Sequence, residues 1–170
     1  MLTTNIRFKN FKFKKDNKRI KKDFKLLLSE KNNVIESLTN YYKYNFKKKN
    51  LHKYKKYLNV RIIGMGGSSL GAHAIYDFLS HKIKKKFSFK DNLQSYSNKK
   101  NNSKFLNLII SKSGNTIETI VNSNIYIKKK QKNIFITENK NSYLYSLAQK
   151  LKSEIIHHNN YIGGRYSVLY

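Results

Sequence analysis

The sequence predicts an α/β fold: a parallel sheet of about five strands in Rossmann-like layers, preceded by short helices. Three observations carry this. Short β-branched runs alternate with stretches at helical spacing. The loops that follow two of these runs are rich in glycine and hydroxyl residues. The first third has no glycine and holds a dense share of the lysine. Strands alternating with helices of roughly 10–15 residues indicate βαβ units, and hence a parallel sheet.

In chain order, Phe24, Leu27 and Leu28, then Val34, Ile35 and Leu38, recur at spacings of three and four. That is the helical period. Ser29 and the Asn32-Asn33 pair suit breaks or caps, so residues 16–58 are expected to hold two or three short helices. The first 15 residues read as a frayed end. At Asn59 the texture changes. Val60 to Ile63 is a strand ending at Gly64, and Leu70, Ala74, Ile75, Phe78 and Leu79 form a helix after a glycine-rich turn. Phe87 to Leu93 is a candidate strand, and residues 94–104 are a polar connection. Leu106 to Ile110 is a strand, 111–115 a polar loop and Thr116 to Lys130 a helix. Asn133 to Ile136, Ser142 to Leu151 and Glu154 to His157 complete the pattern as strand, helix and strand. The reading divides the chain into a basic helical segment, 1–58, and an α/β domain, 59–170.

Composition narrows the classes. The 170 residues carry a net charge of +27 and no cysteine. Disulfides, thiolate nucleophiles and Cys-ligated metals are therefore excluded. No apolar run approaches the roughly 20 residues of a membrane span, and the basic N-terminus lacks the apolar core of a secretory signal. A soluble, cytoplasmic chain with no membrane partner is expected. The charge has two readings. A basic excess suits an anionic partner such as nucleic acid. Yet Lys, Asn, Ile, Tyr and Phe make up 95 of the 170 residues, all with A/T-rich codons, whereas Arg appears four times. Drift in base composition gives the same profile. The aromatics are mixed into apolar helix stripes, which favours core packing over a specific nucleic-acid surface.

Two loops carry the chemistry. The first is Gly64-Met65-Gly66-Gly67-Ser68-Ser69-Leu70-Gly71. Glycines let backbone N–H groups approach an anion, and the following helix aims its positive end at the loop. The plainer reading is a tight turn with serine caps. A dinucleotide fingerprint would require glycine where Ser69 stands. The second loop is Ser111-Lys112-Ser113-Gly114-Asn115-Thr116, followed by Ile117-Glu118-Thr119. It is not a P-loop. Its hydroxyls suit phosphate oxygens, and Ser113 or Thr116 also suits a capping box. A third feature, Gly163-Gly164-Arg165-Tyr166-Ser167, places an ever-charged fork donor after two glycines. A surface turn fits it equally. His157 and His158 are adjacent on a strand and so point to opposite faces, which argues against joint metal ligation.

In this order the three segments resemble the phosphoglucose isomerase family. GMGGSSLG is similar to its G-I-G-G-S-x-L-G motif, SKSGNTIET to its sugar-isomerase-type S-K-[ST]-x-x-T-x-E-T loop, and GGRYS to its G-G-R-[FY]-S motif. The resemblance covers about residues 58–170. It implies a sugar-isomerase domain and interconversion of glucose 6-phosphate with fructose 6-phosphate, with no metal or organic cofactor. Ser111, Ser113 and Thr116 would hold the sugar phosphate, with the backbone amide of Lys112. Gly67 and Ser68 would contact it from the first loop, and Arg165 would stabilise the enediolate.

The chain departs from the family in one respect. The family's base Glu, ring-opening His and a late Lys lie beyond the arginine motif, and Glu118 and Glu154 match neither acid–base role. The expectation is a first domain whose second domain is missing, with little activity alone and a homodimer in the longer family member. The alternatives are a non-catalytic sugar-phosphate-binding module, or an aminosugar-phosphate isomerase or regulator domain.

Overall fold

The computed structural model describes residues 17–93, 104–128 and 131–164. The first 15 residues, expected to fray, most of the 94–104 connection and Arg165 fall outside them. The chain divides into two compact units, Met1–Tyr42 and Lys43–Tyr170. In the first, helix α1 (Lys18–Ser29) is capped by Asn17, whose side chain accepts from the Arg19 and Ile20 amides. Helix α2 (Asn33–Glu36) is capped by Asn32 through the Ile35 amide. Neither helix buries a residue, and the apolar stripe Ile20, Phe24, Leu27 and Leu28 is exposed.

The second unit is a five-stranded parallel sheet: β1 (Asn59–Gly64), β2 (Lys86–Lys90), β3 (Phe105–Ile110), β4 (Lys132–Thr137) and β5 (Glu154–His157). The spatial order is β2-β1-β3-β4-β5. Helix α3 (Lys48–Leu51) precedes β1, α4 (Leu70–Leu79) joins β1 to β2, α5 (Ile117–Tyr126) joins β3 to β4, and α6 (Tyr143–Lys150) joins β4 to β5. Because β2 lies on one side of β1 and the later strands on the other, right-handed crossovers put α4 on one face and α5 and α6 on the other.

The central strands are near-continuous apolar runs because both faces are covered. On one face Ile63, Ile109 and Phe135 pack with Leu144 and Ala148 of α6, flanked by Ile120 and Tyr126 of α5. On the other, Tyr76 of α4 packs its ring at a tilt against Phe87, with centroids 4.9 Å apart, and the His73 ring lies 4.3 Å from that of Phe89. Asn107 and Asn133 sit fully inside the sheet as a polar pair, with Asn107 Nδ2 donating to Asn133 Oδ1 at 2.8 Å.

Residues 43–58 pack with the sheet, so the compact unit begins before the change of texture at Asn59. Tyr54 is buried against Leu106 and Ile134, and its hydroxyl donates to Glu154. Lys53 Nζ stands 2.6 Å from the same carboxylate. Burial, with the Glu154 hydrogen bond, pushes the Tyr54 hydroxyl up to about 12. Burial alone would raise the Glu154 carboxyl, but Lys53 and Tyr54 outweigh it and hold it below its ordinary value. This latch lies at the start of β5, at the opposite end of the sheet from the loops described next.

Candidate functional site

In an open parallel sheet, ligands bind beyond the C-terminal ends of the strands, where the chain order reverses direction across the sheet. Here that point is between β1 and β3. The two strands pair directly, with Gly64 in register with Ile110, so their loops start side by side. Gly64 makes this closeness feasible: a Cβ there would stand 2.9 Å from the Ile110 carbonyl oxygen and 3.1 Å from Ser68 Cβ.

Beyond these ends lies an open cleft of about 680 Å³ lined by Met65, Gly66, Gly67, Ser68, Lys112, Ser113, Thr116, Glu138 and Gly164. It brings together five of the sequence-predicted residues: Gly67, Ser68, Lys112, Ser113 and Thr116. Ser111 lies beneath them, buried, with its hydroxyl 3.0 Å from Thr116 Oγ1 and accepting from the Gly114 amide at 3.2 Å. Arg165 is outside the described residues, although Gly164 before it lines the cleft.

The two helices that begin here leave their N-terminal amides without a side-chain cap. Ser69 and Thr116 occupy the cap positions of α4 and α5, yet neither makes a cap hydrogen bond. The capping box expected at Ser113 or Thr116 is thus not formed, because the Thr116 hydroxyl turns to Ser111 instead. By contrast α1 and α6 are capped by Asn17 and Ser142. Uncapped N–H groups and a positive helix end form a place for an anion.

One cleft residue was missed by sequence reasoning. Glu138 follows β4 and meets Lys112, with Lys112 Nζ 3.4 Å from Glu138 Oε1. The Glu138 carboxylate is 15% exposed. Glu118, by contrast, lies in the first turn of α5 and does not line the cleft. A detectable signal existed, since Glu138 directly follows a strand and so falls at the same edge of the sheet as the two loops. Because Lys112 and Glu138 neutralise each other, the cleft's attraction for an anion rests on amides and hydroxyls. Among the described residues no group of three or more His, Asp or Glu is placed to hold a metal ion. His158 stands near this pair. Burial holds its imidazole below its ordinary value, the Asn159 backbone contact opposes this, and Lys112 lowers it further.

These features define a doubly wound α/β domain with an open cleft, lined by backbone amides and hydroxyls, at its switch point. The same fold is found in a hypothetical protein from Thermus thermophilus, with a TM-score of 0.61 and 21% identity over 71% of this chain and 33% of that one. Tagatose-6-phosphate ketose/aldose isomerase from Escherichia coli matches with a TM-score of 0.50 and 18% identity, over 69% of this chain and 36% of that one. The phosphoglucose isomerase family profile matches residues 9–170, and the chain belongs to that family. It is 38% identical over 134 residues to glucose-6-phosphate isomerase from Methanocaldococcus jannaschii, covering 70% of this chain and 33% of the relative. It is 36% identical over 132 residues to that of Borreliella afzelii, covering 66% and 25%. The chain thus spans about a third or less of the length of these relatives. Among the described residues no helix is long and apolar enough to cross a membrane.

Proposed function

We propose that this chain provides the first sugar-isomerase domain of a glucose-6-phosphate isomerase and that its cleft binds the phosphate of glucose 6-phosphate and fructose 6-phosphate. The supporting observation is the convergence of two uncapped helix N-termini and three exposed or half-exposed hydroxyls, Ser68, Ser113 and Thr116, on one cleft. Amides and hydroxyls can surround the three oxygens of a phosphate monoester without adding charge, and the helix ends supply the positive potential. Family membership supports the choice of substrate, the absence of a cofactor, a homodimer of the longer protein and a place in the cytoplasm with its substrates.

The reaction moves a proton between C1 and C2 through an enediolate, which requires a carboxylate within reach of both carbons. Arg165, the residue after Gly164, matches the family's oxyanion-stabilising position. A guanidinium is always protonated, so it stabilises the enediolate and leaves proton abstraction to another group. Glu138, the carboxylate lining the described cleft, is engaged by Lys112. This favours a chain of 170 residues that binds sugar phosphate better than it turns it over. The same pair gives weight to a second reading, a sugar-phosphate-binding module without catalysis.

Titration calorimetry with glucose 6-phosphate, beside a coupled isomerase assay, tests the proposal. Binding with weak turnover by this chain, and full turnover on joining it to the family's second domain, is the expected result. No binding of either hexose phosphate would overturn the reading. Binding without turnover in the joined protein would select the non-catalytic module.

A further inference from the structure

Lys112 sits in a phosphate-binding loop, and its ammonium would ordinarily be read as an anion ligand. The structure gives it other work. Its Nζ donates to the Asn160 carbonyl oxygen at 2.7 Å and stands 3.4 Å from Glu138 Oε1. Its carbonyl oxygen accepts from the Glu138 amide at 3.0 Å and from Thr137 Oγ1 at 3.2 Å. Its side-chain stem runs beside Gly164, where a Cβ would meet Lys112 Cβ at 3.8 Å and Cδ at 3.9 Å. One residue therefore joins the loops after β3, β4 and β5. The turn after β5 is also tied elsewhere: the His158 amide donates to Thr137 O at 2.8 Å and Asn45 Nδ2 donates to His157 O at 2.7 Å, while within the turn the Ile162 amide donates to Asn159 O at 3.2 Å. On the cleft side the Lys112 ammonium holds it.

We propose that the Lys112 side chain is a positioning residue: locked by Glu138, it fastens the 157–164 turn beside the phosphate loops, so that the sugar end of a bound sugar phosphate meets Gly164. An ammonium bonded to a carbonyl and paired with a mostly buried carboxylate has two of its three donors engaged and its charge offset. A neutral pair also spares the cleft a fixed excess charge, leaving the phosphate to the amides and hydroxyls of the 64–68 and 111–116 loops. The inference rests on the sugar-phosphate reading for its ligand, but its geometry does not.

The test uses the full chain and three variants, Lys112→Met, Lys112→Arg and Glu138→Gln. Lys112→Met keeps the stem and removes the charge. Amide exchange at Ile162, followed by NMR, is expected to speed up at least tenfold in Lys112→Met while the Phe135 amide in the sheet core does not change. Lys112→Arg, which can still donate to Asn160 O and pair with Glu138, restores most of the protection. Glu138→Gln is expected to speed Ile162 exchange about threefold, and decides the matter if Lys112→Met does not fold. Calorimetry with inorganic phosphate and with glucose 6-phosphate supplies the second readout. In Lys112→Met the preference for glucose 6-phosphate over inorganic phosphate should fall at least fivefold. Unchanged Ile162 exchange overturns the proposal, as does an equal loss of affinity for both ligands, the mark of a direct phosphate contact. If the wild-type chain binds no glucose 6-phosphate, the sugar-phosphate reading fails, and exchange at Ile162 still decides the role of Lys112.

Discussion

The two loops that line the cleft leave neighbouring parallel strands and each opens a helix, yet they are held in opposite ways. Between Met65 and Ser69 the backbone closes on itself: Ser68 N–H donates to Met65 O at 3.2 Å and Ser69 N–H to Gly66 O at 3.0 Å. The 111–116 loop is sewn to its surroundings. Ser111 N–H donates to Ile136 O at 3.0 Å, Leu144 N–H to Gly114 O at 3.0 Å and Tyr143 N–H to Asn115 Oδ1 at 2.9 Å. Both loops contain a glycine in the left-handed region, Gly66 at φ +57° and Gly114 at φ +68°. A Cβ added to Gly66 would meet nothing within 4 Å, whereas at Gly114 it would meet Ser142 Oγ at 2.1 Å and Ser142 Cβ at 2.8 Å. One loop is a turn closed on itself at the cleft, and the other is a cradle built into the β4–α6 connection. Donors already held in place bind a ligand with little ordering cost.

The largest expected effect breaks this contrast at its glycines. Gly114→Ala combines left-handed strain of about 1–2 kcal/mol with overpacking of about 1–3 kcal/mol, so a loss of about 2–5 kcal/mol is expected in urea unfolding. Gly66→Ala meets strain alone, about 1–2 kcal/mol. Equal losses would mean the two loops are equally enclosed. Next, Ser111→Ala removes the hydroxyl that holds Thr116 and accepts from Gly114. The Gly114 amide keeps its bond to the Ser111 carbonyl oxygen and Thr116 is only half-buried, so the loss is that of the hydroxyl's own hydrogen bonds, about 0.5–1.5 kcal/mol each, and the same denaturation experiment reads it.

A smaller effect concerns binding. Ser113→Ala with Thr116→Ala should leave the fold intact and weaken glucose 6-phosphate binding by about tenfold or more, because hydrogen bonds to a charged group contribute about 1.5–3 kcal/mol each. Ser68→Ala removes one hydroxyl and leaves the amides of the same turn in place, so it should cost about threefold. Calorimetry ranks them, and a larger loss at Ser68 would reverse the ranking of the two loops.

The smallest effect is a pH slope near the cradle. The folded His158 has its imidazole held below the unfolded value of about 6.5. A depressed pKa means the fold favours the neutral ring, so His158 contributes stability that is present above about pH 6.5 and lost as pH falls through the folded value. The urea midpoint should drop between pH 7.5 and 5.5, and His158→Asn should flatten that part of the slope. An unaltered slope in the variant would remove His158 from the account.

Much of this molecule was legible in the chain because its signals are local. Val60 to Ile63 and Leu106 to Ile110 read as strands because a parallel strand covered on both faces is apolar throughout. The glycines and hydroxyls of the two loops marked strand-to-helix junctions for the same local reason. The helix expected from Thr116 to Lys130 stops at Tyr126, because Ile127 turns to an extended backbone (φ −82°, ψ 126°) and packs on the core cluster. Periodicity does not register that tertiary contact.

The sequence by itself determined which segments are strands, which are helices and which loops carry the hydroxyls, since each follows from residues within one turn or one strand. Only the tertiary structure decided that β1 pairs with β3, that Tyr54 belongs to the sheet's core, and that Lys112 meets Glu138 across 26 positions of chain. Such pairings depend on which strands lie side by side, and that is set by crossover handedness and by burial of both faces together, quantities that no single segment contains.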